Sequence, residues 1–300
     1  MLKELYKKNL NSENNFTIIS FFTEDYINKA NRLINSLNNL NLNYKIYKVP
    51  SIHFSKSIKG SKDISFSQPS LILNCLDELN TSILYVDIDM VFEEKPQKIF
   101  YFEKNKIDFA IYNWFEDKNN DAYQPVKAKI NGKVHTFYKR THSIDYYNNF
   151  NTQLYSSGGV SFHSKSKLSK KILNEWMKNI SLYPQSPDDQ TLDFTYNNLQ
   201  KDLKKIKTYW FDKSYCRCKF WIFTKPIIDH PDNISNRQKF TLKDVYKLDR
   251  FDEKKLGIRR KKKDLAFSII DVKTKSLYIL KNNTLVFNRK FKDKIYIDGN

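Results

Sequence analysis

Cysteine, glycine and alanine are scarce in this chain, at three, six and five residues of 300. Cys75, Cys216 and Cys218 are too few and too unevenly spaced for a disulfide framework or a four-ligand zinc site. No apolar run approaches the roughly 18 residues needed to cross a bilayer. The opening residues, MLKELYKKNLNSENN, lack the apolar stretch of a secretion signal. These absences point to a soluble, cytoplasmic protein. No internal repeat is present. Hydrophobic residues make up 40% and aromatics 15%, enough for a sizeable core and too much for a disordered chain. The length suits one large domain, or one domain with an appendage.

What the chain has in excess is positive charge, a net +19, and it is unevenly placed. Residues 1–200 carry 25 Lys and Arg against 21 Asp and Glu, whereas residues 201–300 carry 27 against 12. The peak is Lys254–Lys263, with seven positive charges and no negative one. Compositional drift explains the excess of 44 Lys over 8 Arg, but drift alone would not cluster them. One-sided charge of this kind attracts phosphates, nucleic acid or acidic headgroups.

The first half alternates strand and helix signals. Phe16–Phe22 is a short apolar run, the mark of a strand buried on both faces. Thr23 is placed to cap the helix that follows, in which Tyr26, Ala30, Leu33, Ile34, Leu37 and Leu40 recur at helical spacing. Tyr44–Val49 reads as a second strand, Gln68-Pro69 opens a second helix, and Ile83–Val86 is a third strand. A β-α-β-α-β succession predicts a mostly parallel sheet flanked by helices, with ligands beyond the carboxyl ends of its strands. Further strands are predicted over 108–114 and 154–163, with a hairpin around Asn131-Gly132 and a helix carrying Leu168, Ile172, Trp176 and Ile180 on one face. Residues 265–300 read as short strands separated by turns, a small antiparallel β extension. The expected division is a main domain over 1–253, a basic linker over 254–264 and the extension over 265–300.

The third strand runs directly into Asp87-Ile88-Asp89. Residues two apart in an extended chain point the same way, so the two carboxylates should share a side. Held together without a cation they repel, and a hard divalent ion bridging to phosphate oxygens relieves this. A polar strand end followed by a turn is the plain alternative.

Together these features resemble the GT-A nucleotide-sugar glycosyltransferases, in particular the bacterial and viral nucleotide-diphospho-sugar transferases. The resemblance spans roughly residues 16–240 and leaves 115–150 and the β extension unexplained. It implies that Asp87 and Asp89 form a DxD motif holding Mn²⁺ or Mg²⁺ against the donor diphosphate. It places Phe22 and Thr23, at the end of the first strand, on the nucleotide. Gly158 and Gly159, within Ser156-Ser157-Gly158-Gly159-Val160, match the strand lining the sugar pocket, where paired glycine admits close approach; a strand bulge is the alternative. Asp188 and Asp189 open a helix, where carboxylates suit the helix dipole, and match the family's acidic residue beside the donor sugar. His230 matches the family's third metal ligand. Arg237 and Lys239 would neutralise the diphosphate, though Asn236 stands where a basic residue usually follows the Ser. Lys59 and Lys62 are weaker diphosphate contacts, and His53, His135, His142 and His163 read as structural.

The implied donor is a nucleotide-diphosphate sugar, with UDP favoured and the anomeric configuration retained. The implied acceptor is a hydroxyl on a glycan, lipid or protein, reached in part through contact with an anionic membrane surface. Two rival classes use the same residues. A haloacid-dehalogenase-type phosphatase would use Asp87 as nucleophile and Asp89 as general acid. That motif normally follows the first strand of its domain, and here a full β-α-β unit precedes it. A nucleic-acid binder would use the basic run, but no RNA- or DNA-binding signature accompanies it. Sugar nucleotidyltransferases need a glycine-rich loop after the first strand, and Phe22–Asp25 is not one.

Overall fold

The computed structural model describes residues 4–10, 14–50, 67–113, 126–130, 133–137, 154, 156–183, 188–218, 224–231, 268–271, 276–281 and 284–290. The central sheet has seven strands. In chain order they are β1 (Glu4–Asn9), β2 (Phe16–Phe22), β3 (Tyr44–Lys48), β4 (Ser82–Val86), β6 (Phe109–Asn113), β9 (Ser156–His163) and β10 (Thr208–Phe211). Their spatial order is β1-β3-β2-β4-β9-β6-β10. Strand β2 pairs in parallel with β3 and β4, and β10 pairs in parallel with β6. Strand β9 is antiparallel to β4 and β6, and β1 is antiparallel to β3. Five strands therefore run one way and two the other, the mixed but mostly parallel α/β sheet expected from the alternating pattern.

Helices cover both faces. Helix α1 (Ile27–Asn39) packs Ala30, Leu33, Ile34 and Leu37 with Phe16, Ile18 and Phe22, the alternate residues of β2. Ile19 and Phe21 point to the opposite face. There they meet α2 (Gln68–Leu79), α3 (Lys167–Leu182) and α4 (Asp188–Asn198), through Leu71, Ile72, Cys75, Ile172, Trp176 and Leu192. Complete burial of each such side chain is worth about 1.5–3 kcal/mol. The chain crosses to helix after β2 without the cap expected of Thr23. A 3₁₀ turn, Glu24–Tyr26, intervenes, and the Thr23 side chain makes no capping hydrogen bond. Instead its carbonyl accepts from the Tyr26 N–H at 2.8 Å.

Strands β1 and β10 and a second, small sheet went unread in the sequence. Strand β1 is mostly polar and edges the sheet, so it carries no apolar signature. A second, three-stranded sheet joins β5 (Val91–Phe92), β11 (Arg217–Cys218) and β12 (Ile228–His230), each too short to show a period. The predicted hairpin is present as β7 (Val126–Ile130) and β8 (Lys133–Phe137). The β extension is a three-stranded antiparallel sheet of β13 (Ser268–Asp271), β14 (Ser276–Lys281) and β15 (Thr284–Lys290).

His163 lies fully buried on β9, its ring 5.2 Å from that of Phe109 and its Nε2 3.1 Å from Ser161 Oγ. Burial pulls its pKa down to about 3. The folded protein keeps this ring neutral while the unfolded chain protonates it near pH 6.5, so stability falls as pH drops from about 6.5 toward 3. His163 should account for about 4–5 kcal/mol of that loss. In urea melts across this range, His163→Gln should flatten the acid limb whatever its absolute stability. An unchanged slope would contradict the assignment.

Candidate active site

The site lies where β2 and β4 end, which is also where the antiparallel β9 begins. Strand β4 stops at Val86, and Asp87–Met90 is a turn closed by the Met90 N–H donating to the Asp87 carbonyl at 3.0 Å. This corrects the extended-chain argument for the two aspartates. A turn, not strand alternation, brings Asp87 and Asp89 together. Alternation does operate one step earlier: Tyr85 and Asp87 share a face, and Tyr85 Oη donates to Asp87 Oδ1 at 3.0 Å.

Asp87 is half-buried among charge of its own sign. Desolvation raises its pKa first, then the carboxylates of Asp89 and Asp188, while His230 opposes them; the result is a group pushed up to about 7. Burial likewise drives Tyr85 well above its ordinary value, helped by Asp87 and Asp188. Of the two acidic residues opening α4, Asp188 is therefore the one whose charge acts on Asp87. Its carbonyl is held by Trp176 Nε1 at 3.2 Å and Thr191 Oγ1 at 2.8 Å. The Asp189 carbonyl accepts from Ser156 Oγ at 3.4 Å. Asp193 Oδ1 accepts from the Ser156 N–H at 2.9 Å, which fixes the start of β9 against the same helix.

Gly159 accounts for the close packing on the other side. The Asp87 N–H donates to its carbonyl at 2.9 Å. A Cβ on Gly159 would stand 2.3 Å from Met90 Cε and 3.1 Å from Asp87 Oδ2. The glycine thus lets β9 approach the Asp87 carboxylate. Gly158 lies beside it on β9. Phe22, expected to contact the nucleotide, has its ring buried, edge-on to Tyr6 at 5.0 Å, and its carbonyl accepts from the Val49 N–H at 2.7 Å. Thr23, also buried, stands at the strand end.

His230 reaches the aspartates through the small sheet. Strand β12 pairs with β5, which directly follows the Asp87–Met90 turn, in the register Ile228↔Phe92 and Asp229↔Val91. His230 Nε2 ends 3.1 Å from Asp89 Oδ1. On its other side β12 pairs with β11, Arg217 opposite Asp229 and Cys218 opposite His230. A buried ion pair, Arg217 Nη2 to Asp229 Oδ2 at 2.5 Å, ties these strands together. Helix α1 supplies contacts that the sequence did not single out. Lys29 Nζ lies 3.3 Å from Asp89 Oδ2, and Arg32 Nη2 donates to the Asp89 carbonyl at 2.9 Å. The only available sequence signal was their i, i+3 spacing on the first helix.

Among the described residues, no group of three or more His, Cys, Asp or Glu side chains is arranged to hold a metal ion. Both oxygens of Asp89 already face cationic or imidazole nitrogen. The chemistry of the set still suits a hard divalent ion, with two carboxylates, an imidazole, and negative charge at Asp87 that a cation would relieve. Arg237, Lys239, Lys59 and Lys62 lie outside the described residues, as does the basic run over 254–263.

Among solved structures, the chain is similar to glycosyltransferases. One is a glycosyltransferase involved in glycosylation of the major capsid of PBCV-1 (13% identity, 72% of this chain and 91% of that one, TM-score 0.42). Another is mouse xyloside xylosyltransferase 1 (13% identity, 72% and 97%, TM-score 0.39). A third is the galactosyltransferase LgtC in complex with donor and acceptor sugar analogues (10% identity, 68% and 76%, TM-score 0.40). No family model matches the sequence, and no curated protein matches it. No helix among the described residues is long and apolar enough to cross a membrane.

Proposed function

We propose that this protein is a GT-A-type glycosyltransferase. It moves a sugar from a nucleotide-diphosphate donor, UDP-linked by preference, to a hydroxyl on a glycan, lipid or protein. The observation carrying this reading is the convergence of Asp87, Asp89, Asp188 and His230 at the carboxyl ends of β2 and β4, beside a glycine that lets β9 approach Asp87. Asp87, Asp89 and His230 would hold Mn²⁺ or Mg²⁺. Such an ion, when bound, offsets the negative charge that develops on the departing diphosphate. Asp188, or Asp189 one residue on, would stabilise positive charge at the anomeric carbon, with retention as the expected outcome. Gly158 and Gly159, on β9, belong to this reading as the lining of the sugar pocket. Arg237 and Lys239 belong to this reading as phosphate contacts. The positive balance of residues 201–300 supports an anionic acceptor, or an anionic membrane surface that bears it.

The test is a thermal-shift screen of UDP-, GDP-, CMP- and dTDP-sugars with Mn²⁺, followed by calorimetry on variants. A UDP-sugar should give the largest shift. His230→Ala should weaken nucleotide-diphosphate binding about tenfold or more with Mn²⁺ and far less in EDTA, because it acts through the metal. Arg237→Ala should weaken binding under both conditions. Equal harm from His230→Ala with and without metal would make the histidine structural. No response to any sugar nucleotide would reject the function.

A further inference from the structure

Helix α1 presents a stripe of side chains to the segment that follows β4. Lys29, Arg32 and Ser36 are three and then four residues apart, which puts them on one face. Arg32 grips the Asp89 carbonyl, and Ser36 Oγ accepts from the Phe92 N–H at 3.1 Å. These two hold backbone, so they fix the turn whatever the Asp89 carboxylate does. Lys29 is the member of the stripe that meets the carboxylate itself.

Its contact has the marks of an exchangeable one. The Lys29 side chain is 32% exposed, against 14% for Asp89. The approach is a 3.3 Å contact from a flexible stem, not the bidentate fork an arginine would give. The same ammonium lies 4.8 Å from the centre of the Tyr26 ring, which offers it a second resting place. The pair is part-buried and open to solvent on the lysine side, so its attraction is modest. A divalent ion binds carboxylate oxygen directly and with twice the charge, and would compete for Asp89 on favourable terms.

We propose that Lys29 is the exchangeable counter-ion of Asp89. Its ammonium neutralises the carboxylate when no divalent cation is bound, and yields Oδ2 when one enters. The released ammonium stays tethered beside the site, where it meets the phosphates of the donor. This rests on the donor-site reading above. It carries two consequences of opposite sign. Removing Lys29 strengthens binding of the bare metal, because nothing has to be displaced, and weakens binding of the nucleotide diphosphate, because a phosphate partner is lost. A merely structural lysine would move both affinities the same way, or neither.

The test is calorimetry of the full chain with Mn²⁺ alone, then with UDP at saturating Mn²⁺, at low and high salt. Lys29→Met should bind Mn²⁺ about fivefold tighter than wild type at low salt and UDP about fivefold weaker, and salt should shrink both differences. Lys29→Arg, which keeps the charge, should bind Mn²⁺ no tighter than wild type. Lys48→Met is the control, since Lys48 pairs with Glu24 at 2.5 Å and should leave Mn²⁺ affinity unchanged. Mn²⁺ binding by Lys29→Met but not by wild type would support the exchange outright. Unchanged or weaker Mn²⁺ binding by Lys29→Met would overturn it. Absence of Mn²⁺ binding from both proteins would overturn it together with the metal site. A wild type that binds Mn²⁺ but not UDP would reject the donor reading, while the Mn²⁺ titrations still decided the exchange.

Discussion

Asp89→Asn should yield a folded protein whose donor turnover falls about a hundredfold or more. Charge stabilisation by a metal on a phosphoryl oxygen is worth several kcal/mol, and a neutral amide oxygen is a much weaker ligand than the carboxylate. The fold should survive because asparagine keeps the shape and the Asp89 carbonyl still accepts from Arg32. The substitution also removes one of the charges pressing on Asp87, so the Asp87 carboxyl should move back toward its ordinary range. Mn²⁺-dependent UDP release from a UDP-sugar, measured beside the melting temperature, reads turnover and folding together. Wild-type turnover from a folded Asp89→Asn protein would remove the metal site from the mechanism.

Replacing Arg217 should have the largest effect on stability. Its side chain is 1% exposed and that of its partner Asp229 is 2%, so the pair is held wholly away from water. Desolvation makes such a pair of little net benefit to the fold, yet deleting one member leaves the other charge buried without its counter-ion. Arg217→Met should therefore cost about 3–5 kcal/mol. The double variant Arg217→Met, Asp229→Leu should recover most of that loss, since apolar replacement of a buried pair is often neutral. Urea melts of the three proteins decide the matter. Equal losses in the single and double variants would mean that the arginine acts through packing, not charge. Because Cys218 stands opposite His230 in the next register position, the same substitution should weaken Mn²⁺ binding in the folded fraction.

Why a pair so costly persists is clear from where it sits. Strands β11 and β12 are two and three residues long, too short for backbone pairing alone to fix their register. A slip of one residue would turn His230 away from Asp89. The ion pair joins the two strands in that register, and β5 continues directly from the Asp87–Met90 turn.

The central fold was legible in the sequence because its elements announce themselves by period. Phe16–Phe22 is apolar at every position but Thr17 and Ser20, as a strand covered on both faces must be, and both faces are covered. Ala30, Leu33, Ile34 and Leu37 recur at helical spacing and all are buried. Strand β1 escaped because a polar edge strand has no core to point at. The 3₁₀ turn at Glu24–Tyr26 escaped because capping signals are the same for either helix type.

The site divides along the same line. Sequence fixed on Asp87 and Asp89 through the apolar strand before them, on paired glycine through its rarity in this chain, and on His230 through family resemblance. Each of these signals is local or borrowed. Chain pairing across about 140 residues brings His230 to Asp89, and only the β5–β12 register specifies it. The same holds for Lys29 and Arg32, two of 52 basic residues with nothing in their neighbourhood to mark them. Local periodicity determined the strands, the helices and the end of the sheet at which ligands gather. The tertiary structure decided which charges meet there, because an ion pair depends on positions in space and leaves no period along the chain.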